Sequence, residues 1–270
     1  MDITDSALQL LLQFGEVEAV GLSGSTSRGV ADELSDRDLC VFVGDRLPTA
    51  QERQRCYSDF GLPACRYLDG DLEVSRIDGL LIEGVAHDLL WMSLAQTAQS
   101  LQQLGHDFDC DEYVAGIRSV RPLHDPAGHI DRLRLQLPTY SDDRARHRVT
   151  DHLAKAHFSI YGLAWPSKAP RRADYFSYFY NLGCVFDHLV SAMLALNRQW
   201  RAHEKRILEQ LGHLQLAPAD VATRMQSLIR HEGENRDMGV GASNIRRLFA
   251  DVAEISAGEF PGIDVPTDWD

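Results

Sequence analysis

The sequence predicts an α+β protein: a small mixed sheet with flanking helices over residues 1–105, then an all-helical half over residues 106–270. Three observations carry that prediction. Short apolar runs bounded by turn residues ("EAVGLSG", "DLCVFVG", "DLEVSRIDGLLIEGVAH") are confined to the first part of the chain. Beyond Gly105 strand signals fade and helix-period patterns take over. At 270 residues the chain is also long enough for two ordinary cores.

In "TDSALQLLLQF", Leu8, Leu11 and Leu12 fall at helical spacing, with Thr4 or Asp5 as cap and Gly15 as the stop. "EAVGLSG" then reads as a buried strand and "DLCVFVG" as a second, joined by a loop and a turn or two of helix in "STSRGVADE". "TAQERQRCYSDFG" reads as a flanking helix ended by Gly61. A hairpin follows, Leu72, Val74 and Arg76 alternating with Glu73, Ser75 and Ile77, with Asp78-Gly79 as a type I′ turn and "LLIEGVA" as the return strand. From His87-Asp88 a long amphipathic helix is expected to run to Gly105, with Asp88 as its cap. The second half is expected to be helical over 126–137, 143–163, 171–198, 200–212, 218–231 and 243–257. The six aromatics of "RRADYFSYFYNLGCVF" read first as core packing, with a second reading as the wall of an acceptor cleft.

The formal net charge of −13 argues against a long nucleic acid as ligand, since binding to phosphates draws on clustered Lys and Arg. A single nucleotide held through a divalent cation remains compatible with it. The five cysteines are scattered singly, with no C-x-x-C pair, and Cys40 and Cys184 read as small buried hydrophobes. Asp2 and Asp5 replace the basic start of a secretory signal, and no apolar run is read as membrane-spanning. A cytoplasmic protein without membrane partners is expected. Gly21, Gly24 and Gly29 lack dinucleotide-fold spacing, and no Gly-Lys-Ser/Thr is present for a P-loop.

The stretch that carries chemistry is "GLSGSTSRGVADELSDRDLCVFV". Asp36 and Asp38 stand at i and i+2, so on an extended strand both carboxylates point to one face. Two like charges so placed are costly unless a cation lies between them, and magnesium prefers such oxygen ligands. Gly24 lets the backbone approach a ligand closely. Ser25, where strand gives way to helix, offers its hydroxyl to phosphate oxygens, and Arg28 adds a cation. Taken singly, each residue has a plainer reading: Ser25 or Thr26 as a helix cap, "SDRD" as an exposed turn.

Gly24-Ser25 followed by Asp36-Arg37-Asp38 inside "SDRDLCVFV" resembles the minimal nucleotidyltransferase motif of the DNA polymerase β superfamily. The closer likeness is to bacterial aminoglycoside and lincosamide nucleotidyltransferases and their uncharacterised relatives. It covers residues 17 to about 90, and more loosely "ALNRQWRAHEKRILEQL". The resemblance implies a nucleotidyltransferase fold over residues 1–105 and a helical substrate-binding domain over 106–270. It implies transfer of a nucleoside monophosphate, AMP from ATP or its counterpart from another NTP, onto a hydroxyl of a small molecule such as an antibiotic. Two Mg2+ ions and release of pyrophosphate go with that chemistry. It also implies a third carboxylate on a neighbouring strand, for which Glu83 is the first choice and Glu73 the second. Lys205 is a candidate to reach the triphosphate, and Asp187 and Glu204 are candidate bases whose plainer reading is as solvated helix-face charges. The alternatives are a protein- or RNA-modifying enzyme of antitoxin type, against which the chain's own helical domain weighs, and an inactive nucleotide-binding module.

Overall fold

Strand β1 (Val17–Leu22) pairs antiparallel with β2 (Arg37–Val43), and β2 pairs parallel with β5 (Val85–Ser93). The hairpin partner of β5 is β4 (Ser75–Ile82); the two-residue β3 (Tyr67–Leu68) and β6 (Arg121–His124) form the edges. Among the described residues the sheet therefore has six strands in the order β3-β4-β5-β2-β1-β6, mixed in direction because β2 and β5 run together. In this computed structural model the described residues are 3–62, 67–68, 75–103, 111–203, 205–235 and 238–265.

Both faces of the sheet are covered, and alternation sorts its side chains between them. Leu39, Val41, Val43, Leu89 and Trp91 pack against α1 (Ile3–Leu11) and α3 (Ala50–Asp59). Cys40, Phe42 and Met92 face α4 (Leu94–Gln103), α5 (Asp111–Ser119) and α6 (His129–Leu135). Between β1 and β2 lies only the single turn α2 (Gly24–Ser27). A capping box fixes the start of α3: the Thr49 hydroxyl accepts from Glu52 N–H, and the Glu52 carboxylate accepts from Thr49 N–H.

Several expectations are corrected. Asp78-Gly79 is not the hairpin turn: Asp78 is fully buried in mid-strand, and the turn is Glu83-Gly84, with φ +50° and +81°. His87-Asp88 does not open a helix, because β5 continues to Ser93 and α4 begins at Leu94. Strand pairing does not end near residue 105, since β6 closes the sheet edge against β1. The sheet unit accordingly runs to Pro138, and the helical unit spans Thr139–Asp270. Leu72, Glu73 and Val74 lie outside the described residues, as do Cys65, Cys110 and Glu204.

The second unit is built from α7 (Asp142–His157), a π-turn at Phe158–Gly162, α8 (Trp165–Arg171), α9 (Tyr175–Leu196), α10 (Ile207–Leu211), α11 (Val221–Asn235) and α12 (Met238–Glu259). Ser141 and Asp174 cap α7 and α9. The run expected to be helical over 200–212 is helical only from Ile207. Asn197 ends α9 before it, its Nδ2 donating to Met193 O and Leu216 O. By length and composition α9 is apolar enough to cross a membrane, contrary to expectation. Yet 61% of its most apolar window is buried in the protein, as befits a core helix.

Candidate functional site

Parallel pairing of β2 with β5 sets Asp38 in register with Asp88, so their side chains project on the same face. Asp36, two residues before Asp38, shares that face by strand period. The outcome is a cluster in which one carboxylate oxygen from each of Asp36, Asp38 and Asp88 lies within 4.8 Å of the others, all three half-buried. They occupy the face that carries Cys40, Phe42 and Met92, just beyond the edge of that core.

Gly24 closes on this cluster from the other side. Its φ is +62°, and a Cβ built there would meet Asp38 Oδ2 at 1.6 Å. Only glycine fits that place, for backbone angle and for space alike. Ser23 N–H donates to Asp38 O at 2.8 Å, holding the bend to the strand that bears the acids. The Ser25 Oγ is buried and has no partner among the described residues, an unusual state for a hydroxyl that close to water. Arg37 Nη1 donates to Thr26 Oγ1 at 3.1 Å, tying α2 to the first residue of β2. Arg28 is exposed at the C-cap of α2.

The surroundings are tuned by burial. The Cys40 thiol, below Asp38, is pushed up to about 11, first by burial and then by the neighbouring carboxylate, while a hydrogen bond with Ser23 acts the other way. It is held as a neutral thiol. His87, paired in register with Arg37, is 1% exposed. Burial lowers its pKa, and with Nδ1 3.0 Å from Val85 O its Nε2 has no partner among the described residues.

Of the residues expected at the site, Gly24, Asp36 and Asp38 stand together, with Ser25 next to Gly24 on the bend and Arg28 exposed at the end of α2. Glu83 does not join them. It occupies the exposed turn of the β4–β5 hairpin, where its Oε1 accepts from Ser6 Oγ at 2.7 Å. Asp88 lies five positions further along the hairpin, with four residues between, roughly 16 Å of extended chain. Asp88, expected only as a helix cap, supplies the third carboxylate instead. Lys205 belongs to the helical unit, where its backbone N–H donates to His203 Nδ1 at 3.1 Å.

No family model matches the chain, and no curated protein matches it. Among solved structures, a nucleotidyltransferase-like protein from Exiguobacterium sibiricum is similar at a TM-score of 0.43 and 10% identity, covering 95% of this chain and 77% of that one. At that score the likeness bears on no residue of the site. Chemically, the cluster offers three oxygen ligands and no nitrogen or sulfur, the donor set of a hard divalent cation. Three carboxylates this close repel one another unless such a cation or a proton lies among them.

Proposed function

We propose that the sheet unit is a metal-dependent nucleotidyltransferase, moving a nucleoside monophosphate from an NTP, in the first instance AMP from ATP, onto a hydroxyl of a small molecule. The observation that supports this is the convergence of Asp36, Asp38 and Asp88 beside a glycine–serine bend whose hydroxyl has no partner among the described residues. Asp36, Asp38 and Asp88 would hold one or two magnesium ions, whose chemistry when bound is to neutralise polyphosphate charge and ease deprotonation of the acceptor.

The chain's own residues do the rest by position. Gly24 keeps the bend against Asp38, so that a polyphosphate on the bend also touches the acids. Ser25 Oγ donates to a phosphate oxygen, and Arg28 offsets charge at the rim. In the transfer a bond forms between the acceptor oxygen and the α-phosphorus while the bond from that phosphorus to the leaving pyrophosphate breaks; the acceptor proton passes to base or water. A hydroxylated antibiotic is the acceptor to test first.

The test is pyrophosphate release from ATP, GTP, CTP and UTP, each with magnesium and a panel of hydroxylated compounds. Replacing both Asp36 and Asp38 by Asn is expected to lower release by at least about a hundredfold, since amides cannot balance the cation. Unchanged release from that variant would remove the assignment. Release stimulated only by added protein or RNA would move the acceptor to a macromolecule.

A further inference from the structure

The helical unit contains a cavity of about 750 Å³, within the size range of small-molecule sites, bounded by α9, α11, Arg201 and residues 206–209. Its floor is apolar: Phe186, Val190 and Met225 are each at most 9% exposed. Charged groups stand at its walls, in two pairs of opposite sign. Asp187 Oδ1 lies 2.6 Å from Arg201 Nη1, which also donates to Ser191 Oγ at 3.0 Å. Arg206 faces Glu209 at 3.9 Å. The formal charges cancel, so the cavity selects no ionic ligand by Coulomb attraction, and its apolar floor favours an uncharged one.

Two features of α9 point to occupancy. Gly183 sits in mid-helix at the cavity wall, and a Cβ added there would meet nothing within 4 Å. Packing does not require glycine, yet the position forgoes helix propensity and leaves the space open. Toward the start of α9, Tyr180 and Phe176 share the helix face of Gly183, one and two turns away. They are 64% and 83% exposed, their rings 6.2 Å apart and inclined by 15°. Large aromatics left in water on the helix face that reaches an apolar cavity add exposed apolar surface on that face.

We propose that this cavity binds an uncharged, largely apolar ring compound of roughly drug size. Its body rests on Phe186, Val190 and Met225, passes over Gly183, and continues along Tyr180. The proposal rests on residues of the helical unit alone and does not depend on the nucleotidyltransferase reading of the sheet unit.

The test titrates the full-length protein with N-phenyl-1-naphthylamine, a neutral ring compound whose fluorescence rises in apolar surroundings. Saturable one-site binding is expected. Gly183→Leu fills the cavity from α9 and is expected to weaken the dye at least tenfold, with a melting temperature equal to or above that of the parent. Thr223→Phe fills it from α11 and must act in the same direction. Gly258→Leu, at another helical glycine with open space around its Cβ, must leave the affinity unchanged. Absence of saturable binding, an unaltered affinity in Gly183→Leu, or equal loss in Gly258→Leu would overturn the proposal. So would a concentration-dependent dimer that Gly183→Leu abolishes and that excludes the dye, which would give the face to a second copy of the chain.

Discussion

His152 on α7 and His188 on α9 face each other with Nδ1 atoms 3.4 Å apart, close enough that one ring must donate while the other accepts. Asp151, Lys155, Arg148, Asp187 and Arg201 surround the pair. Burial, then the Arg148 charge and the other imidazole, pulls His152 down to about 4, and burial lowers His188 as well. In the unfolded chain both titrate near 6.5, so below that pH the unfolded state takes up protons that the fold refuses. Stability is therefore full above pH 6.5 and is lost as pH falls from there toward 4, by about 1–3 kcal/mol for His152. Urea unfolding of the helical unit at pH 7.5, 6 and 5 checks this. His152→Gln should flatten the slope between pH 6.5 and 5, and an unchanged slope would refute the assignment.

At the scale of elements, α3 is bound to the β4–β5 hairpin by a buried polar network. Arg53 and Asp78, both 0% exposed, are joined through two contacts of 2.6 and 3.0 Å; Tyr57 Oη donates to Asp78 at 2.6 Å, and Trp91 Nε1 donates to Tyr57 at 3.1 Å. Removing one partner of a buried ion pair strands the other, at about 3–5 kcal/mol. Asp78→Asn should thus unfold the sheet unit at markedly lower denaturant, while Tyr57→Phe, which removes one hydroxyl, should cost about 1–2 kcal/mol. Equal losses from the two variants in urea melts would contradict this division. The same hairpin explains what sequence patterning hid. Asp-Gly is a strong turn signal, but Arg53, far away in sequence, neutralises Asp78 inside the sheet and leaves the turn to Glu83-Gly84. In β5, Leu89 and Trp91 serve one core while Met92 serves the other, so a strand buried on both faces loses its alternation and reads as a helix. By contrast β1, β2, α1 and α3 were legible because their caps and apolar runs are local signals.

For the whole molecule, the half of the site carried by one local stretch could be read directly: Gly24, Ser25, Asp36 and Asp38 follow from strand period and bend chemistry. The third acid could not, because it depends on which strand lies beside β2 and in what register. Once β5 is a strand, Asp88 follows from the parallel register as surely as Asp38 does from the strand period. On a chain of net charge −13, three converging carboxylates repel one another unless a cation or a proton lies among them. The most direct measurement of this account compares magnesium-dependent pyrophosphate release in Asp88→Asn and Glu83→Gln. A loss of at least about a hundredfold in Asp88→Asn, with Glu83→Gln within about twofold of the parent, is the predicted result. Full release from Asp88→Asn, or its abolition in Glu83→Gln alone, would contradict it.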